Sequence, residues 1–214
     1  MNRRNYDKYI DEVFSSRLDT TKLLVDLSKS APIKAFINAS AIVILLTTIL
    51  IHYMKYFPKF SFLSFALGVV LSQDSSFIRT FHRIYLLGFC NPIGTGRQWI
   101  SWIHLDDMVR IIEYVADPKR VFSSGPVNCT SPKSVQQVTF AKAMSESLGA
   151  PSNILSNVPV PSFLFTYLLG RDRASLAVDG QRVIPKKLLN AGFEFTYPDL
   201  ADALENIFGR RPRS

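Results

Sequence analysis

Glycine is missing from the first 67 residues of this chain. All ten glycines stand at or after Gly68. No glycine-rich strand-turn-helix lies in that region, which excludes the usual backbone cradle for a pyrophosphate at a helix N-terminus. Acidic residues are missing from a second stretch, since no Asp or Glu occurs between Asp26 and Asp74. Cysteine is scarce. Cys90 and Cys129 are the only two, with neither metal-ligand spacing nor a redox pair. That excludes a disulfide scaffold and points to reduced thiols in a cytoplasmic protein. Internal repeats and low-complexity tracts are absent. The highly charged residues 1–34 do not read as a secretory signal.

What is present supports a globular domain. The chain has 214 residues, 47% of them hydrophobic, enough for one domain or a domain with a small lobe. The net charge of +8 and pI near 9.6 leave an anionic ligand open. The basic residues form no block beyond the small tail cluster Arg210, Arg211 and Arg213, and no recognition motif accompanies them, so no nucleic-acid partner is expected.

Residues 35–54 carry no acidic or basic side chain except His52. Roughly 20 such residues suffice for a membrane-spanning helix. That gives one reading of this segment, a single-pass anchor for an interaction protein. The other reading makes residues 35–39 a central parallel strand, which also appears as a continuous apolar run. The strand reading is preferred here.

The richest stretch runs from Gly94 through Thr95, Gly96, Arg97, Gln98, Trp99, Ile100, Ser101, Trp102, Ile103, His104 and Leu105 to Asp106 and Asp107. Its glycines suit a tight turn. Met108, Ile111, Ile112 and Val115 then follow at the spacing of a buried helical stripe, with Asp106 placed to cap the helix start. Further helices are expected over residues 7–29, with Leu23, Leu24 and Leu27 buried, from Val135 to Leu148 before Gly149, and from Pro198 to Gly209. Strands are expected at 35–39, at 66–71 and ending at Val127 and Asn128.

These pieces carry a resemblance. The run Gly94–Asp107 resembles the G-x-G-R-Q-x-x-x-W-I-H-x-D-D segment of the epimerase-type, atypical branch of the short-chain dehydrogenase/reductases. Ser16-Arg17-Leu18-Asp19-Thr20-Thr21, Phe36-Ile37-Asn38-Ala39-Ser40-Ala41, Gly68-Val69-Val70-Leu71 and Val127-Asn128-Cys129-Thr130-Ser131-Pro132 match other family segments in the right order. Gly180-Gln181-Arg182-Val183-Ile184-Pro185 and Ala191-Gly192-Phe193-Glu194-Phe195 are similar to the family's short C-terminal domain. The likeness covers residues 12–41 and 66–208. It lapses over 42–65, where an apolar insert replaces the family's Gly-Tyr-Tyr-Gly loop. The family's opening T-G-x-x-G-x-x-G turn is absent. So is the superfamily's Tyr-x-x-x-Lys pair, since none of the eight tyrosines has a lysine four residues on.

The resemblance implies an α/β fold, a partial doubly wound, Rossmann-like parallel sheet with a small C-terminal lobe. It divides the chain into a partial NAD(P)-binding domain over 1–154, a small epimerase-family domain over 155–208 and a basic tail over 209–214. It implies an NAD(P)-linked oxidoreductase or epimerase acting on a sugar-like or otherwise hydroxylated small molecule. With the glycine turn missing, the expectation is an N-terminally truncated member that has lost cofactor binding and is impaired or inactive alone. A non-enzymatic binding remnant is the remaining alternative. Self-association through an exposed sheet edge is also expected.

Ser40, just past a strand's carboxyl end, falls at the hydroxyl that would orient a substrate carbonyl or hydroxyl, and could equally satisfy a backbone group. Asn38 would meet the nicotinamide side of the cofactor or bond the loop. Arg97 suits a phosphate or carboxylate, with a surface arginine as the plain alternative. His104 is a candidate proton donor to substrate, though a hydrogen-bonded structural histidine is preferred. Asn128 and Arg182 could hold a polar substrate, and Arg182 could instead pair with Asp179. Trp99 and Trp102 read as core or pocket wall. No metal site is expected.

Overall fold

The structure, a computed structural model, describes residues 23, 35–41, 61–86, 95–117, 119–120, 122–149 and 180–209. For 35–41, 61–62 and 83–86 the description is of the backbone. The expected helix at 7–29 lies almost wholly outside these residues, as do residues 42–60 and 150–179. Leu23 alone of that helix is described; it is helical and 60% exposed, not buried as the periodicity suggested.

Strand β1 (Ala35–Ala41) pairs in parallel with β2 (Ser61–Leu67), and β2 with β6 (Gly125–Cys129). The apolar segment at 35–41 is therefore a strand of a sheet, and no helix among the described residues is long and apolar enough to cross a membrane. β2 is the central strand of the three, and it begins five residues before the expected position. Ser61-Phe62-Leu63-Ser64-Phe65 belongs to the stretch where the family likeness lapses, yet it forms sheet. Composition alone could not separate it from its neighbours, because a strand buried on both faces is a continuous apolar run.

The expected strand at 66–71 is split at Gly68. Leu67 is the last residue paired with β6, and β3 (Val69–Leu71) pairs in parallel with β5 (Trp102–His104). The Gly68 amide donates to the Cys129 carbonyl and the Val69 amide to the Ser101 carbonyl, so one continuous backbone serves two neighbours in turn. A Cβ on Gly68 would stand 2.8 Å from the Ser101 oxygen. The glycine is needed for close approach of two backbones.

Helices cover both sides. On one side α1 (Ser76–Leu86), α3 (Gln137–Leu148) and α5 (Leu200–Phe208) pack with Leu71, Ile100 and Trp102. On the other, α2 (Leu105–Ala116) and α4 (Lys186–Asn190) pack with Leu63, Phe65, Ile103, Val127 and Cys129. Trp102 and Ile103 are adjacent and fully buried in opposite cores, as strand alternation requires. This is the doubly wound arrangement expected from the sequence, and the described carboxyl-terminal residues contribute to both cores.

Several helix boundaries differ from expectation. Met108, Ile111 and Val115 of α2 are buried, but Ile112 is 41% exposed, on a flank with Leu105 and Val109. α3 begins at Gln137, because Val135 and Gln136 form β7, antiparallel to β4 (Trp99–Ile100). α5 begins at Leu200 with Asp199 at its N-cap, so Pro198 stands before the helix. Gly149 and Gly209 end their helices in the left-handed conformation, as read from the sequence.

Candidate functional site

Parallel α/β sheets bind ligands outside the carboxyl ends of their strands. Here those ends are Ala41, Leu71, His104 and Cys129. The register places Ser40 opposite Ala66, and Ala66 opposite Asn128. Ser40 and Asn128 thus share one row of the sheet, two strands and about 10 Å apart by ordinary strand spacing. Asn38 lies one row of the same parity below, opposite Ser64. Three of the six candidate residues are brought together by register alone.

A second cluster forms at Trp99. The Arg182 guanidinium lies over its ring, 4.7 Å from the centroid, and Arg97 is exposed two residues earlier in the chain. The backbone between them has a structural task. The carbonyls of Gly96 and Gln98 accept from the amides of Val138 and Gln137, at 3.0 and 2.8 Å. The G-x-G-R-Q turn therefore satisfies the first amides of α3, which no side chain caps.

The segment carrying Arg182 is fastened by hydroxyls. Ser101 Oγ donates to the Gln181 carbonyl at 2.6 Å and accepts from the Val183 amide at 3.0 Å. Ser134 Oγ and Thr130 Oγ1 donate to the Val183 carbonyl at 3.1 and 3.4 Å. Asn128 Nδ2 donates to the Ile184 carbonyl at 3.1 Å. Asn128 thus holds the crossing segment with one of its two amide N–H groups. Ser101 was not singled out in the sequence. Its only signal was a small polar residue between two buried-type residues, Ile100 and Trp102.

His104 stands apart from both clusters and is 3% exposed. It is the N-cap of α2, where its Nδ1 accepts from the Asp106 amide at 3.2 Å. Asp106, the expected cap, is instead exposed in the first helical turn. The cap falls two residues earlier because α2 starts at Leu105, directly off β5, so the last strand residue caps the helix. The Tyr197 ring covers the imidazole at 4.1 Å. Burial holds the imidazole pKa below its ordinary 6.5, against the opposing pull of Asp106, Asp107 and Asn206. Nε2 is buried without a hydrogen-bond partner; Asn206 is near enough to act on the ring but not placed to bond it.

Asp107, missed by the sequence reading, is the buried acid of the pair. It is fully buried and accepts from the amides of Thr196 and Tyr197, both at 2.8 Å, and from Arg110 at 3.2 Å. It ties the carboxyl-terminal segment to α2. Cys129 is buried and free, its thiol pushed up to about 12 by burial, so it is no nucleophile. Cys90 lies outside the described residues, as does Asp179, the alternative partner for Arg182. No cluster of metal-ligating side chains occurs among the described residues. A groove of about 430 Å³ lies along the far half of α2, lined by Tyr114, Arg120 and Phe193, away from the strand ends.

Residues 160–207 match the family model described as a domain of unknown function, DUF1731. The chain is 30% identical to the epimerase family protein SDR39U1 of Mus musculus, over 96% of this chain and 76% of that protein. It is 40% identical to the epimerase family protein YfhF of Bacillus subtilis, over 56% of this chain but only 37% of that protein. The crystal structure of human SDR39U1 isoform 2 with NADPH superposes with a TM-score of 0.80 at 25% identity, over 95% of this chain and 75% of that one. Rossmann-like sheet, carboxyl-terminal domain and sequence likeness agree: the chain belongs to the epimerase family of the atypical short-chain dehydrogenase/reductases.

Proposed function

We propose that this chain provides the substrate side of an NAD(P)-dependent epimerase or oxidoreductase for a sugar-like or otherwise hydroxylated small molecule. The observation that carries this reading is the row Ser40–Ala66–Asn128 at the carboxyl edge of a parallel sheet, crossed by the Arg182 segment. Ser40 orients the substrate oxygen. Arg97 and Arg182 meet an anionic group on the same molecule, as planar guanidinium groups do. Asn38 lies on the cofactor side of that row. Asn128 positions the segment that bears Arg182.

The residues described do not fit the pyrophosphate end of the cofactor. Gly68 is packed against the Ser101 backbone and Gly180 against that of Trp99. The first amides of α3 are taken by Gly96 and Gln98, and α2 is capped by His104. No open glycine cradle is left among them. This supports a chain that is impaired or inactive in cofactor chemistry by itself, while its substrate side persists. The same reading makes it cytoplasmic. The strand at Ala35–Ala41 supports this, because the apolar run beyond it is shorter than the roughly 20 residues a span requires.

Ligand-observed magnetic resonance with sugars and sugar nucleotides tests the substrate side directly. At least one hydroxylated ligand should bind, and Ser40→Ala should weaken it about 3–10-fold, the size of one hydrogen bond. Failure of every such ligand to bind, or equal affinity for Ser40→Ala, overturns the assignment.

A further inference from the structure

We propose that His104 is a pH-sensitive latch: its neutral ring seats the Thr196–Tyr197 segment on the sheet and caps α2, and protonation releases both. The geometry imposes this dependence. Nδ1 accepts from the Asp106 amide, so it carries a lone pair and the neutral ring carries its proton on Nε2. A second proton can only go to Nδ1. It turns the acceptor into a donor facing another N–H, at the positive end of the α2 dipole, with the exposed Asp106 carboxylate 3.6 Å away as a counter-charge beyond hydrogen-bond distance.

The surroundings of the ring are few. Asp106 and Asp107 face it from α2, Tyr197 covers it from the segment before α5, and Asn206 approaches from α5. On β3 its partner is the apolar Leu71. The two carboxylates favour the charged ring, as does Asn206, but burial outweighs them and lowers the pKa. Asp107 is not free to compensate fully, because its oxygens already bind Thr196, Tyr197 and Arg110.

A folded state that binds this proton less well than the unfolded state loses stability as pH falls. The contribution is fully present above the ordinary histidine value of 6.5 and disappears as pH drops from there through the lowered folded value. Lys133 and Asp199, paired at 2.7 Å, and Ser131 with the Pro198 carbonyl hold the following residues independently. The release is therefore local to Thr196, Tyr197 and the start of α2. The latch stands on its own geometry whether or not the substrate assignment holds.

Hydrogen exchange of the Thr196 and Tyr197 amides in the full chain, corrected for intrinsic rate, tests the latch. Between about pH 7.5 and about pH 5, protection should fall by about tenfold or more. His104→Asn replaces the ring with a neutral cap that does not titrate, and its protection should stay within about twofold. Parallel losses in both proteins, or no loss in the unsubstituted chain, overturn the proposal. Should His104→Asn fail to fold, resonance titration of the His104 ring decides. A midpoint below 6.5 that coincides with the loss of protection supports the latch, and a midpoint at or above 6.5 overturns it.

Discussion

Asp107→Ala is expected to destabilise the chain by about 3 kcal/mol, the lower end of the cost of removing one partner of a buried ion pair. The lower end applies because Arg110 is 43% exposed and can turn to water. The amides of Thr196 and Tyr197 cannot do so as readily, since both lose the acceptors that bind them at 2.8 Å. Asp107→Asn keeps one acceptor oxygen but turns an NH2 toward the other amide, so it should recover only part of the loss. Asp106→Ala, at an exposed position, should cost less than about 0.5 kcal/mol. Urea unfolding of the three variants gives the comparison. A larger effect at Asp106 than at Asp107 would mean that the acid pair has been assigned the wrong way round.

Trp102→Ala is expected to cost about 3–5 kcal/mol, as large-to-small changes of buried aromatics do. The side chain is fully buried in the core between β3, α3 and α5, and its indole N–H donates to the Lys133 carbonyl at 3.1 Å. Trp102→Phe restores most of the volume but leaves that carbonyl short of a donor, a loss of about 1–2 kcal/mol. Trp99→Ala should be milder. Its ring is partly exposed and its stacked partner is Arg182, worth about 0.5–1 kcal/mol at such a site. These are the chain's two tryptophans, so fluorescence of each variant reports on the other ring during denaturation. Equal losses at the two positions would contradict the core described.

Much of the fold was legible because its signals are local. Gly149 and Gly209 marked helix ends, and the apolar run at 36–39 marked a parallel strand. The family segments fixed the α/β class, since each carries its own turn chemistry. The parts that were not legible depend on distant partners. Nothing local to Ser101 says that it will bind Gln181 and Val183, some eighty residues away in sequence. Asp106 was read as the cap of α2, a role that His104 fills, because a histidine at a strand end is a rarer cap than an aspartate. β2 was placed late because Ser61–Phe65 has the same apolar character as the residues before it. The row that joins Ser40 to Asn128 follows from sheet order, which the sequence does not state.

The central claim is that the chain keeps the substrate side of an epimerase-family domain without a cradle for the cofactor's pyrophosphate. Fluorescence titration of the purified chain with NADPH and NADH tests this most directly. No saturable binding in the micromolar range is expected, because no open glycine cradle for the pyrophosphate stands among the described residues. Saturable micromolar binding of either nucleotide by the chain alone would contradict it.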